Sequence, residues 1–187
     1  VWAKARPEMD ILHRNHLIEK SPFATISPSN IVLAKRPNSD RPRLCIDYKR
    51  VNEVLDDCFH VTESLESLLM KLQKFEVMSL LDCSSCYWVM ELTEDCRDLT
   101  AFYGEDQVYR WRRLPFGIKT GAQWTQKLIS SVILEKVFRS TMSKSSVVSL
   151  FIDDCLLSSL KNDHLDDLDK LLEKFESEGF VLGFEKC

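Results

Sequence analysis

Val147-Val148-Ser149-Leu150-Phe151-Ile152-Asp153-Asp154 is an apolar run that ends on two adjacent carboxylates. A second run, Val77-Met78-Ser79-Leu80-Leu81-Asp82, ends in the same way. Short apolar runs with β-branched residues read as strands. Val147 to Ser159 is apolar on both sides of the acidic pair, which suits a hairpin with Asp153-Asp154 at its turn. A carboxylate at the end of a buried strand is costly unless its charge is compensated. Three carboxylates drawn together from two strands repel one another. A hard divalent cation is the usual remedy, because Mg²⁺ prefers carboxylate oxygens. The pattern points to metal-assisted phosphoryl transfer.

Around these runs the chain alternates irregularly between helix and strand signals. Met9 to Glu19 reads as a short helix, and Ser21 to Asn30 as a loop. Ile31–Ala34 and Leu44–Tyr48 read as strands of a hairpin, whose tip from Lys35 to Arg43 carries turn residues and four cations. Thr62 is positioned to cap a helix to Phe75, with Leu65, Leu68, Leu69 and Leu72 on one face. Tyr87 to Leu92 fits helix or strand equally. Thr100–Phe102 and Val108–Trp111 read as paired strands around Gly104-Glu105-Asp106, and Ala122 to Phe138 as a helix. Asn162 is positioned to cap a helix from Asp163 to Glu178, with Gly179 as its stop and 180–182 as a last strand. The fold class expected is α+β, an antiparallel sheet with helices on one face.

The 187 residues suffice for one domain or one and a half, and 44% hydrophobic with 29% charged residues is the profile of a globular protein. No stretch approaches the roughly 20 apolar residues of a membrane span, so no membrane partner is expected. The N-terminus has no signal-peptide pattern and no initiator Met. Residues 1–52 hold ten Lys/Arg against five Asp/Glu, a surplus of +5 that leaves −9 for the rest of a chain with net charge −4. Such a basic segment beside an acidic body suits phosphates at one end and metal at the other, and equally suits an unevenly charged solvated surface. The seven cysteines are odd in number and irregularly spaced, as reduced thiols are. The expected location is the cytoplasm or an intracellular particle, with the nucleus as an alternative.

Five segments together resemble one family. Arg43-Leu44-Cys45-Ile46-Asp47-Tyr48-Lys49-Arg50-Val51-Asn52 resembles the fingers motif of reverse transcriptases from gypsy-type LTR retrotransposons. Leu80-Leu81-Asp82-Cys83-Ser84-Ser85-Cys86-Tyr87 resembles their first catalytic motif, and Leu114-Pro115-Phe116-Gly117-Ile118 the nucleotide-binding motif. Phe151-Ile152-Asp153-Asp154 resembles their aromatic-x-Asp-Asp box, and Gly179 to Cys187 the segment that closes the palm.

The resemblance implies fingers at approximately 1–60 and 96–115, a palm at approximately 61–95 and 116–187, and no thumb. It implies an RNA-directed DNA polymerase, part of a retroelement Pol polyprotein, that adds dNTPs to a primer 3′-hydroxyl. Asp82, Asp153 and Asp154 become the metal and catalytic residues. Asp82 and Asp153 hold two Mg²⁺ ions (Mn²⁺ as an alternative) about 4 Å apart, with Asp154 in support. Lys186 matches the family lysine proposed to protonate pyrophosphate. Arg43, with Lys35 or Arg36, meets the triphosphate. Tyr87 packs under the sugar and disfavours a 2′-hydroxyl, and Phe116 and Gly117 flank that pocket. The implied partners are an RNA or DNA template with its primer, dNTP, and the other Pol domains (thumb, RNase H, integrase). A nucleic-acid-binding module that has lost polymerase activity is the alternative.

Some positions depart from the family pattern. Cys86 stands where Gly is usual, Val89 where Gln is, Leu99 where Lys is, Thr120-Gly121-Ala122 for Asn-Ala-Pro, and Phe151 for Tyr. A Cβ at Cys86 is expected to crowd the nucleotide or twist the backbone. Cys83-x-x-Cys86, with Cys155 as a possible neighbour, also has the spacing of a zinc or redox site. His13, His16, His60 and His164 show no ligand or triad spacing and read as surface or capping residues.

Overall fold

The computed structural model describes residues 2–22, 27–36, 39–58, 65–84, 86–133, 136–151 and 153–187. They form two compact units, Val1–Asp57 with Tyr87–Gly121 and Cys58–Cys86 with Ala122–Cys187.

In the first unit, helix α1 (Trp2–Arg14) starts at Trp2 rather than at Met9, and Pro7 lies inside it. A proline there removes one backbone bond and costs about 3 kcal/mol in an exposed helix interior. Ala5, Met9 and Leu12 offset that cost by burying one stripe of the helix. Beyond Arg14 the chain leaves the helix through His16, whose φ is 56°, and Leu17 N–H bonds back to Leu12 O at 3.0 Å. Residues up to Glu19, expected as helix, therefore enter strand β1 (Ile18–Lys20).

Strands β2 (Ile31–Arg36) and β3 (Ser39–Ile46) form the expected antiparallel hairpin, with Ile31 opposite Ile46 and Ala34 opposite Arg43. Its tip at 37–38 lies outside the described residues. Helix α2 (Lys49–Val54) follows. Strands β5 (Phe102–Tyr103) and β6 (Val108–Trp111) pair as expected, and β6 also pairs with β1. Gly104 makes their turn possible, since a Cβ there would lie 2.7 Å from Gln107 O.

The core of this unit gathers Met9, Leu12, Ile18, Ile46, Tyr48, Phe102 and Trp111. The buried Tyr48 hydroxyl donates to Thr100 O at 2.9 Å, and Thr100 Oγ1 accepts the Trp111 N–H at 3.0 Å. Arg110, 6% exposed, reaches Glu19 at 2.8 Å and Asp98 at 2.9 Å, and also pairs with Glu94 at the start of helix α4 (Glu94–Arg97). A buried cation needs such partners to offset its desolvation.

In the second unit, helix α3 spans Leu65–Leu72, shorter than expected, and Thr62 lies outside the described residues. Strands β4 (Val77–Asp82), β7 (Ser146–Phe151) and β8 (Asp154–Ser159) form an antiparallel sheet in the order β4-β8-β7. The helix expected from Ala122 to Phe138 is two helices, α5 (Gly121–Ile133) and α6 (Lys136–Thr141).

Helix α7 (His164–Ser177) lies against β4 and β8. Its cap is Asp163, not Asn162, and the Asp163 side chain makes no cap bond. That carboxylate instead accepts the Ser143 hydroxyl at 3.1 Å and the Ser145 hydroxyl. Gly179, at φ +76°, ends the helix as expected, and Phe180 folds back onto Phe175 with ring centroids 5.4 Å apart. The strand expected at 180–182 is reduced to one bridge, Leu182 to Cys83, followed by a 3-10 turn at Phe184–Lys186. Gly183 N–H on Asp82 O at 2.9 Å belongs to that bridge, and the pairing stops where the chain curls into the turn, with Lys186 N–H on Gly183 O at 2.8 Å.

His164 is not a surface or capping residue. It is 4% exposed, with Nε2 2.8 Å from Ser79 Oγ and Nδ1 2.6 Å from Ser159 Oγ. It thus ties α7 to two strands. One helical turn on, Asp167 is 1% exposed and accepts the Ser143 N–H at 3.1 Å and Lys170 at 3.1 Å.

Burial alone would push the Asp167 carboxyl up. The Ser146 hydroxyl, Lys170 and the Ser143 N–H outweigh it and hold the group below its ordinary value. A depressed carboxylate adds stability where it is ionised and loses that contribution as pH falls through its folded value. Asp167→Asn should therefore cost about 1–3 kcal/mol at neutral pH. Urea unfolding should show the difference from the parent shrinking below about pH 4.

Candidate active site

Strand β4 runs antiparallel to β8 with Asp82 directly opposite Asp154. Asp154 is the first residue of β8, and Asp153 sits in the turn before it. Cys83 N–H donates to Asp153 O at 3.0 Å, which fixes that turn to the end of β4. Beneath the carboxylates the strands are anchored by Leu81, Cys155 and Leu157, all buried. The apolar runs thus set the register, and the register sets Asp82 opposite Asp154.

The Asp154 carboxyl is pushed up, first by burial and then by the negative charges of Asp153 and Asp82, while Lys186 lowers it. The Asp82 side chain is 12% exposed. Lys186 Nζ lies 3.1 Å from Asp82 Oδ1 and 2.9 Å from Oδ2, and Ser84 Oγ donates to Oδ1 at 3.2 Å. Hydrogen bonding to Asp82, with its negative charge, raises the Lys186 ammonium above its ordinary value.

The donor set fits hard divalent ions: three carboxylates with mutual repulsion, and an ammonium already standing on one of them as a cation. Among the described residues no three His, Cys, Asp or Glu side chains are pre-arranged around one point. In this structure Asp82 is engaged by Lys186 instead.

The other expected site residues lie in the first unit. Lys35 and Arg43 are exposed on the hairpin strands. Arg36 is in β2, and its side chain lies outside the described residues. Tyr87 is in a 3-10 turn, Cys86–Val89, and resolves the ambiguous stretch. Its ring centroid is 4.7 Å from that of Phe116, tilted by 42°. Phe116 is 49% exposed. Gly117 has φ +97°, a conformation that side chains rarely adopt.

Asn52 closes the Gly117 turn. Its amide donates to Gly117 O at 2.8 Å, and its Oδ1 accepts the Lys119 N–H at 2.8 Å. That role was not apparent from Asn52's place at the end of the first motif. Ser84, Gly183 and Cys187 give no such signal either: the Ser84 hydroxyl meets the Asp82 carboxylate, while Gly183 and Cys187 meet the Asp82 backbone, and spacing reveals neither.

Cys83 and Cys86 are each 2% exposed. The Cys83 thiol is pushed up to about 12 by burial, then by Cys86, Asp82, Asp153 and Cys187. Burial raises Cys155 further still. Enclosed thiols raised by burial are poor nucleophiles, among the described residues no three His, Cys, Asp or Glu side chains gather around one point, and His164 is engaged by Ser79 and Ser159. The zinc or redox reading of this pair finds no support in the geometry. Cys86 also faces the interior, so its side chain fills core space.

The reverse transcriptase (RNA-dependent DNA polymerase) family model matches residues 33–187. The chain is 30% identical over 181 residues to the retrovirus-related Pol polyprotein from transposon 412 of Drosophila melanogaster, covering 94% of this chain and 14% of that protein. It is 27% identical over 149 residues to the enzymatic polyprotein of cauliflower mosaic virus (strain CM-1841), covering 79% of this chain and 21% of that protein. The chain therefore spans a minor part of the curated relatives it matches. A foamy viral protease-reverse transcriptase solved with double-stranded DNA shares its fold, with a TM-score of 0.81 at 21% identity over 98% of this chain and 31% of that one.

Two measurements test this geometry. Asp154 is raised, so its ionisation subtracts stability at neutral pH, and that loss disappears as the carboxyls protonate. Asp154→Asn should raise Tm by about 2 °C at pH 7 and leave it unchanged near about pH 3. Native alkylation with iodoacetamide, read by peptide mass spectrometry, should label the exposed Cys96 and Cys187 and spare Cys83, Cys86 and Cys155.

Proposed function

Because the chain belongs to the reverse transcriptase (RNA-dependent DNA polymerase) family, we propose that it is the fingers and palm part of a retroelement Pol polyprotein. In this reading it extends a primer 3′-hydroxyl with deoxynucleotides on an RNA template. The single observation that carries the reading is the pairing of Asp82 with Asp154, beside Asp153 in the turn. The gypsy-type resemblance agrees with the Drosophila relative.

The second unit, with its antiparallel sheet, is the main part of the palm in this reading, and the first unit holds the fingers together with the palm segments around Tyr87 and Phe116. Asp82 and Asp153 would hold the divalent ions, Mg²⁺ or Mn²⁺, with Asp154 supporting them. Those ions, when bound, lower the pKa of the attacking hydroxyl and steady the leaving pyrophosphate. Lys186 would leave Asp82 and give a proton to pyrophosphate. Arg43 and Lys35 or Arg36 would neutralise the triphosphate as charge-assisted donors. The Tyr87 ring, steadied by Phe116, would pack under the sugar and reject a 2′-hydroxyl, and Gly117 would let backbone approach the nucleotide. Catalysis would rest on positioning and electrostatics, as in other phosphoryl transfers. Thumb, RNase H and integrase domains are the expected partners in the full polyprotein, and the thumb would hold the duplex.

The test is incorporation of dTTP on poly(rA)/oligo(dT) with Mg²⁺ or Mn²⁺. We expect short, non-processive extension that EDTA abolishes and that Asp153→Asn lowers by about a thousandfold or more. Primer-template binding with no incorporation under either metal would instead establish the nucleic-acid-binding module.

A further inference from the structure

The last residues of the chain close on Asp82 from several sides. Gly183 N–H donates to Asp82 O at 2.9 Å, and Leu182 bridges to Cys83. The chain then curls into the 3-10 turn, with Lys186 N–H on Gly183 O at 2.8 Å. That curl returns Lys186 Nζ to both carboxylate oxygens, at 3.1 and 2.9 Å, and places Cys187 Sγ 3.4 Å from the Asp82 N–H. A side chain at the pivot would force its neighbours to shift. A Cβ at 183 would lie 2.7 Å from Asp82 Oδ1 and closer still to Ser84 Oγ. Gly183 thus lets the segment approach the carboxylate it covers.

The two partners differ in freedom. The Asp82 side chain is 12% exposed and the Lys186 side chain 68%. The carboxylate is held by its strand, whereas the ammonium stands on the solvent side and leaves without disturbing the core. Among the described residues Lys186 is the only cation paired with Asp82. An ammonium donates to the same oxygen lone pairs that a metal ion would take.

We propose that residues 183–187 form a clasp that keeps the Lys186 ammonium on Asp82 as a resident counter-ion, and that a divalent cation enters by exchange with it. Gly183 is the positioning residue of this clasp. The proposal rests on the reading of Asp82 as a metal ligand. It adds that metal affinity is set by how often the clasp is open, since apparent affinity falls with the fraction of competent molecules. Release of Lys186 on metal entry would also free its ammonium for other work.

The test is Mn²⁺ binding to the 187-residue chain without nucleic acid, read from the electron paramagnetic resonance of free Mn²⁺. If the clasp is shut about nine-tenths of the time, Lys186→Gln should tighten the Mn²⁺ Kd about tenfold. Gly183→Ala keeps the lysine but displaces the segment, and should tighten Kd in the same direction. Lys161→Gln, an exposed charge control, should leave Kd within about twofold. Should Gly183→Ala prove unfolded by its Tm, Lys186→Gln decides alone. Unchanged or weaker binding in Lys186→Gln, or equal tightening in the control, overturns the clasp. Asp82→Asn separates the two readings. If it weakens Mn²⁺ binding while Lys186→Gln does not tighten it, the metal site stands and the clasp falls. If Asp82→Asn has no effect, the metal reading of Asp82 falls and takes the clasp with it.

Discussion

Like-charge repulsion at the end of the β4–β8 ladder is the constraint that organises the second unit. Two carboxylates roughly 5 Å apart repel by about 3 kcal/mol at an effective dielectric near 20, and here three are brought to one end of a sheet. The strands cannot relieve that repulsion by sliding, because a one-residue slip would turn Leu81, Cys155 and Leu157 out of the interior. Each buried aliphatic or aromatic side chain contributes about 1.5–3 kcal/mol, so the apolar runs outweigh the charges they carry at their ends. The Asp154 carboxyl is raised first by its burial and then by that repulsion. Local destabilisation held in place by a well-packed scaffold is a common property of working sites.

The same balance explains what the sequence revealed and what it hid. The strands carrying Asp82 and Asp153-Asp154 were legible because continuous apolar runs ending in carboxylates leave few alternatives. Leu165, Leu168, Leu171, Leu172 and Phe175 announced α7 by their period, and Gly179 marked its end. Helix α1 starts seven residues before the expected Met9 and carries Pro7 inside it, because the stripe of Ala5, Met9 and Leu12 shows itself only once a core exists to receive it. His164 gave no signal because its partners, Ser79 and Ser159, come from two strands and share no spacing with it. The 180–182 segment looks apolar enough for a strand, but its pairing is confined to the Leu182 bridge before the chain curls into the 3-10 turn. Local pattern thus identifies elements, whereas side chains that act through distant backbone need the fold.

The departures from the family pattern acquire physical meaning in the same way. Cys86 was expected to crowd the nucleotide or twist the backbone, yet its side chain is buried at the start of a regular 3-10 turn. The tight position lies elsewhere in the motif set. A Cβ on Gly121 would meet Tyr87 Cε1 at 2.8 Å, so Gly121 is what allows the Tyr87 ring its place beside Phe116. Leu99 is 51% exposed and leaves its neighbours Asp98 and Thr100 to do the structural work, one on Arg110 and the other under the Trp111 N–H. Nothing in the structure explains the choice of Val89, whose recorded contribution is its carbonyl, accepting Arg113 at 2.9 Å.

Two cations set against carboxylates show how residue chemistry divides structure from function here. Arg110 has a side chain 7% exposed and meets Glu19, Glu94 and Asp98 together. Its planar fork spreads one charge over several fixed acceptors, which suits a permanent internal strut. Removing Arg110 would leave Glu19, Glu94 and Asp98 facing one another without the cation they share, so the arrangement resists exchange. Lys186 is the opposite case: one carboxylate, a flexible stem and an exposed head. An ion pair so open to water contributes little to stability, so breaking it costs the fold little. A permanent cation on Asp82 would have satisfied the carboxylate and silenced it. In the clasp proposed above, a loosely held lysine would neutralise the site and yield it to a harder ion.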